Sequence, residues 1–396
     1  MLVRYSHDKN GRTVKKAVIY TQSDHKIDRR MIDGDVMRII RKLRNFGYDA
    51  YLVGGAVRDL MIGKKPKDFD VVTSADPVRI RKIFRNSRII GRRFRLVHIF
   101  YPDKIFEVST FRSIKNGTVG NVFGVMDEDV MRRDFTINAL YYDPEKQQII
   151  DYTGGVRDLQ AKKLVSVIPV KVIFREDPVR MIRALKYSVS SGCRISFSLR
   201  RELRKSAPLL KTVSPSRLTE EIIKIVNSGN ACGILREAVA YDLFLYLQGG
   251  AADLMDGCPD FPEMYEKSLR ALDESVAAGQ GGRLGDRLVF LIRDFVRMIA
   301  DWKGNPAEVY RTVYGECRRF ILPMNPPRVE LEYAVAACLA QGGMAAGQRK
   351  RRRSPSVPSG GKGARKGSAV AETSGAKMPY RRKSGGEMPQ TAVRNG

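Results

Sequence analysis

The stretch "KKPKDFDVVT", Lys64 to Thr73, puts Asp68 and Asp70 at the entry to an apolar run. Asp is disfavoured in strands, and residues two apart on a strand point to one face. Such carboxylates repel one another unless a cation sits between them, and paired carboxylates suit Mg²⁺. A charged turn leading into a strand is the plain alternative for D-x-D standing alone. Glu107, in "KIFEVSTFR", is a candidate third carboxylate. An acid amid apolar strand residues is costly unless it is used or faces water from an edge.

Upstream, "YLVGGAVRD" places Gly54 and Gly55 where a strand hands over to a helix. Such a turn offers backbone N–H groups and a helix N-terminus to phosphate. Arg58 falls in the first helical turn, placed to reach a phosphate oxygen. With the D-x-D following, the arrangement suits a nucleoside triphosphate bridged by Mg²⁺ to the carboxylates. Downstream, "RRDFTINAL" carries Arg132, Arg133 and Asp134, which suit ribose and phosphate oxygens or an internal ion pair. "REDPVRMIRALK" sets Asp177, Arg180, Arg183 and Lys186 at intervals of three, drifting slowly round one side of a helix. An Asp and an Arg so placed can offer acceptor and donor to a base edge, or form a solvated basic face.

The elements that must position these residues follow from period and punctuation. Ile32 to Phe46 has apolar residues at helical spacing and ends at Gly47. "DAYLVGG" reads as a strand and tight turn, "AVRDLMIG" as a short helix closed by Gly63, and "DFDVVTSA" as the next strand. Asp76 before Pro77 is an N-cap with proline in the first helical position. "RLVHIF" and "IFEVSTF" flank the turn sequence "YPDK" and predict a hairpin. Lys115 to Val125 reads as a glycine-rich loop, and "DEDVMRRDFTINALYY" onward as helical. Residues up to Arg30 read as a polar extension, Leu247 to Leu284 as a loop or poorly ordered connection, and the region beyond Gln341 as unable to support a core. The expected division is an extension (1–30), an α/β head (31–160), a helical neck (161–230), a helical body (231–340) and a disordered basic tail (341–396).

Composition narrows the function classes. With 43% hydrophobic and 29% charged residues, the chain of 396 residues reads as globular. No apolar run of membrane-spanning length occurs, and the first twenty residues lack the apolar core of a signal peptide. Five cysteines stand singly and three histidines are scattered, which argues for a reducing, cytoplasmic setting and against zinc. The net charge is +28; Arg349 to Gly396 hold thirteen Lys or Arg against two Glu, so +17 remains elsewhere. That balance predicts a polyanionic partner, nucleic acid above all.

Taken in order and with their gaps, "YLVGGAVRDLMIGKKPKDFDVVTSADP", "RRDFTINAL" and "REDPVRMIRAL" resemble the family of tRNA nucleotidyltransferases and bacterial poly(A) polymerases. The resemblance runs from about Ile32 to Asn227, and "GRRFRLVH" within it, like the basic tail, resembles the poly(A) polymerase branch. It implies an α/β nucleotidyltransferase-fold head followed by an all-α neck and body. It implies that Asp68 and Asp70 hold two Mg²⁺ ions, with Glu107 where many relatives carry a third carboxylate. Gly54, Gly55 and Arg58 then match triphosphate contacts, Arg133 and catalytic Asp134 the ribose motif, and Asp177, Arg180 and Arg183 the base-selecting helix. "DYTGGVRDL", Asp151 to Leu159, echoes the first glycine motif but matches a hinge region of the family. The expected activity is template-independent transfer of AMP from ATP to RNA 3′ ends, with no membrane partner. CCA addition to tRNA is the alternative, and an RNA-binding protein without catalysis is a second.

Overall fold

The computed structural model describes residues 1–7, 13–91, 95–115, 122–280 and 282–344. The tail, the centre of the Lys115 to Val125 loop and residues 92–94 of "GRRFRLVH" lie outside the described residues. Nine strands form one sheet: β1 (Leu2–His7), β2 (Thr13–Tyr20), β3 (Ala50–Val53), β4 (Asp70–Thr73), β5 (Ser87–Ile90), β6 (Leu96–Phe100), β7 (Ile105–Thr110), β8 (Leu140–Asp143) and β9 (Gln148–Asp151). Their spatial order is β1-β2-β9-β8-β3-β4-β7-β6-β5. Among these neighbours only β4 and β7 run parallel.

One sheet face is covered by the helices Gly34–Asn45, Gly55–Met61 and Pro77–Ile83. Val36, Ile39, Ile40 and Leu43 form the apolar stripe of the first and bury against Leu52, Val71 and Val108 from the strands. Asp33 and Asp76 cap their helices as side-chain acceptors, and the backbone reverses at Gly47 and Gly63 with φ of 81° and 71°. The other face carries a smaller cluster around Val53, Val72, Phe111 and Tyr141. Because β4 is so short, its N-terminal residue Asp70 escapes that cluster and opens to solvent at the strand end.

From Val170 onward the chain is almost entirely helical, and its core, from Met181 to Met344, is continuous with Phe135 and Ile137 of the head. The α/β head and helical remainder are therefore as the sequence predicts. Three expectations fail. The N-terminal residues are not an extension: β1 pairs with β2, and β2 with β9, so they widen the sheet. Backbone pairing recruited a segment whose side chains give little period. "DEDVMRRDFTINALYY" is α-helical only within Met126–Met131, with a single 3-10 turn at Thr136–Asn138; Leu140–Asp143 is β8, buried at every position. A strand covered on both faces shows no alternation and mimics a helix in a short window. The glycine- and acid-rich stretch after Leu247 forms the helices Gly249–Gly257 and Phe261–Ala277. Phe261, Tyr265, Leu269 and Leu272 recur there at helical spacing on a buried face, a signal that overall composition masked.

Candidate active site

Strand register assembles the acidic wall. Val53 lies opposite Asp70 across β3 and β4, so the turn at Gly54 begins beside that carboxylate. A Cβ added at Gly54 would stand 3.9 Å from Asp70 Oδ2 and 3.7 Å from Arg133 Nη1, and its φ of 70° favours glycine independently. On the other side Asp70 is in register with Glu107 of the parallel strand β7. Neighbours in register share a face, so the two carboxylates stand side by side. β7 lies between β4 and β6, which removes the edge-strand explanation for Glu107. The half-exposed Glu107 carboxylate faces His98 at 3.7 Å. Crowding by protein, then Glu107, pushes Asp70 up to about 6 despite nearby Arg133, and Asp68 adds to the rise. Asp68 itself is exposed, two residues before β4 begins.

Facing this wall is an open polar cleft of about 280 Å³, lined by Gly54, Gly55 and Asp70 and by five arginines: Arg112, Arg132, Arg133, Arg180 and Arg183. Arg133 bonds Asp129 at 3.0 Å and the Tyr141 hydroxyl at 3.0 Å, and its guanidinium stacks 5.0 Å from the Tyr141 ring centre. Buried Asp134 takes a 2.7 Å bond from Arg183 Nε. Burial opposes ionisation there, but Arg183 beside it holds the carboxyl below its ordinary value. Burial, then the Arg112 guanidinium nearby, pushes Arg132 down to about 10.

Two predicted contacts change character. Arg58 is buried and does not line the cleft; it donates to Asn138 Oδ1 at 2.9 Å and to Asp59, and stacks on Tyr187. It braces the glycine turn from beneath, since a Cβ at Gly55 would meet its Nη2 at 3.5 Å. Asp177 is not on the helix with Arg180. It occupies the break between Val170–Glu176 and Val179–Ser191, in extended conformation, because Pro178 disfavours helical geometry in the residue before it. There Asp177 accepts from Arg217 at 2.9 Å and still lines the cleft beside Arg180. Lys186 is turned away into a 2.9 Å pair with buried Glu221.

The sequence reading missed Asp129, Asn138, Tyr141 and Tyr187. Asp129 was findable, four residues before Arg133 on a helical turn; the tyrosines carried no local signal. The hinge motif turns out to be self-contained. The Asp151 carboxylate accepts from the N–H groups of Thr153, Gly154, Gly155 and Val156 at 2.8–3.0 Å. A carboxylate thus fills the second glycine turn.

Oxygen donors of Asp68, Asp70 and Glu107 are chemically right for Mg²⁺. No group of three or more His, Cys, Asp or Glu among the described residues is drawn together as a metal cage. Mg²⁺ rarely needs one, since it commonly binds one or two carboxylates and completes its shell with waters and substrate phosphates. The residues present therefore fit such an ion.

This combination defines a nucleotidyltransferase head. Residues 50–165 match the family described as "Poly A polymerase head domain", and residues 192–254 match "Probable RNA and SrmB- binding site of polymerase A". In these two segments the chain is similar to the poly(A) polymerase family. It is 40% identical over 242 residues to poly(A) polymerase I of Salmonella typhi, covering 57% of this chain and 52% of that protein. The CCA-adding enzyme of Geobacillus kaustophilus is 34% identical over 220 residues, 54% of each chain. The solved Bacillus stearothermophilus CCA-adding enzyme in complex with CTP shares the fold with a TM-score of 0.60 and 27% identity, over 79% of this chain and 71% of that one. The chain spans about half the length of the curated relatives it matches. Among the described residues, no helix is long and apolar enough to cross a membrane.

Proposed function

We propose that this protein extends unpaired RNA 3′ ends with AMP taken from ATP, without a template. One observation carries the reading: strand register sets Gly54, Asp70 and Glu107 side by side at the mouth of an arginine-lined cleft. In it the triphosphate lies over the Gly54–Gly55 turn, with Arg133 neutralising phosphate charge. The RNA 3′-oxygen attacks the α-phosphorus, forming the new phosphodiester bond as the bond to pyrophosphate breaks and the hydroxyl proton leaves. Asp68 and Asp70 would hold Mg²⁺, with Glu107 beside them. When bound, the metal supplies charge stabilisation and a more acidic 3′-hydroxyl. Asp134, fixed by Arg183, is placed to orient the ribose; Asp177 and Arg180 present an acceptor and donors for a base edge. Most of the rate then comes from positioning and charge neutralisation.

CCA addition is the second reading, supported by the 27% identity to the CTP-bound CCA-adding enzyme. The test is purified protein with an unstructured RNA or with tRNA lacking CCA, given ATP alone or ATP plus CTP. Long adenylate tails on the unstructured RNA are expected. A three-nucleotide addition confined to tRNA would transfer the chain to the CCA class, and no incorporation would refute both.

A further inference from the structure

Asp70 and Asp68 are held by different means. Asp70 opens β4 and is fixed by register with Val53 and Glu107. Asp68 lies outside that ladder, exposed in the loop from Gly63 to β4, so something other than strand pairing must set its place. Its buried neighbours Pro66 and Phe69 anchor the loop to the head. Two lysines tie the same loop to the neck. Lys64 Nζ donates to the Ser190 carbonyl at 2.7 Å. Lys67, directly before Asp68, reaches the carbonyls of Asn227 and Ser228 at 3.3 and 3.4 Å. Ser190 stands in the last turn of the helix Val179–Ser191, and Asn227 caps the end of the helix Pro215–Val226. Carbonyls at helix C-termini lack intrahelical donors and carry partial negative charge, so a cation is the partner they favour.

The two helices so gripped are themselves joined. Buried Glu221, on Pro215–Val226, accepts from Lys186 of Val179–Ser191 at 2.9 Å. Arg217, on the same helix as Glu221, pairs with Asp177 at 2.9 Å, and Arg287 from the body donates to the Asn227 side chain. Val179–Ser191 is also the helix that presents Arg180 and Arg183 to the cleft. The lysines therefore connect the loop of Asp68 to the frame that carries the base side of the site. We propose that Lys64 and Lys67 are positioning residues, which clamp Asp68 to that frame so that its carboxylate can share a cation with Asp70. The inference rests on the nucleotidyl-transfer reading above for the cation. It gives two lysines beside the carboxylates a part in holding metal, where a contact to phosphate would be the ordinary expectation. Contacts of exposed lysines are individually weak, so the clamp acts on the placement of Asp68 and leaves folding alone.

The test measures Mn²⁺ binding to the full chain by electron paramagnetic resonance, with α,β-methylene-ATP present and RNA absent. Lys64→Met with Lys67→Met keeps side-chain length and removes both donors. This double variant should melt with the wild type, bind the analogue equally in EDTA, and hold Mn²⁺ about tenfold more weakly. Lys67→Met alone should show a smaller loss of the same sign, and Lys64→Arg with Lys67→Arg should restore Mn²⁺ binding. Because the lysines act through Asp68, adding both methionine substitutions to Asp68→Ala should have no further effect. Unaltered Mn²⁺ binding in the double variant, or a further loss in the Asp68→Ala background, would overturn the clamp. Weaker analogue binding in EDTA would overturn it too, by making the lysines triphosphate contacts. Weakened Mn²⁺ binding beside a wild type that transfers no AMP would uphold the clamp and refute the activity. Unaltered Mn²⁺ binding beside intact AMP transfer would do the reverse.

Discussion

Asp70 and Arg58 both adjoin the Gly54–Gly55 turn yet should respond oppositely to truncation. Asp70 is open to solvent and crowded by acids, so Asp70→Ala, and Asp68→Ala beside it, removes repulsion while removing metal ligands. Either variant should keep its melting temperature and RNA affinity and lose AMP transfer by about a thousandfold or more. More than a few per cent residual activity in a steady-state assay would contradict their role. Arg58 is buried and donates to Asn138 and Asp59. Arg58→Ala strands those acceptors, and calorimetry should show a loss of about 2–4 kcal/mol of stability. An unchanged melting temperature with weakened ATP binding would restore the direct phosphate contact read from the sequence. Base choice belongs to the same scale. Asp177→Ala should blur selection of ATP over other triphosphates by about tenfold, because the paired Arg180 side of the site loses its acceptor; unaltered selectivity in competition assays would reduce Asp177 to a partner for Arg217.

The two glycine turns show how far elements were legible. Gly54–Gly55, β4 and the hairpin around "YPDK" were readable because turn residues and short strands leave strong local punctuation. What stayed hidden was set by tertiary pairing. β2 earns its place through backbone bonds to β9, β8 lost its alternation by being buried on both faces, and Pro178 moved Asp177 off the helix that its spacing implied. Most of the site's acids and arginines were nonetheless named, Asp129 and Arg112 excepted, since charged residues inside apolar runs are conspicuous; the aromatic braces Tyr141 and Tyr187 were not, since tyrosine is ordinary in a core. The second glycine turn carries its own prediction. Asp151 is buried and accepts four backbone N–H groups, so Asp151→Ala should cost about 3 kcal/mol in denaturant unfolding while leaving ATP affinity unchanged. Loss of ATP affinity at unchanged stability would make this turn a nucleotide site instead of a structural hinge.

Over the whole molecule, charge links recognition to salt. Arg349 to Gly396 contribute +11 of the net +28, so removing them should weaken RNA binding and flatten its salt dependence; equal affinities at low salt would assign the segment to something other than RNA. The rest of the chain keeps +17 and the arginine-lined cleft, so catalysis should survive the deletion. The proposed activity is tested most directly by incorporation of radiolabelled AMP from ATP into a 15-nucleotide adenylate, comparing wild-type protein with Asp70→Ala after both have been shown to bind that RNA equally. Ladders of added nucleotides from the wild type and none from the variant are predicted. Equal incorporation by both, or none by a folded, RNA-bound wild type, would contradict it.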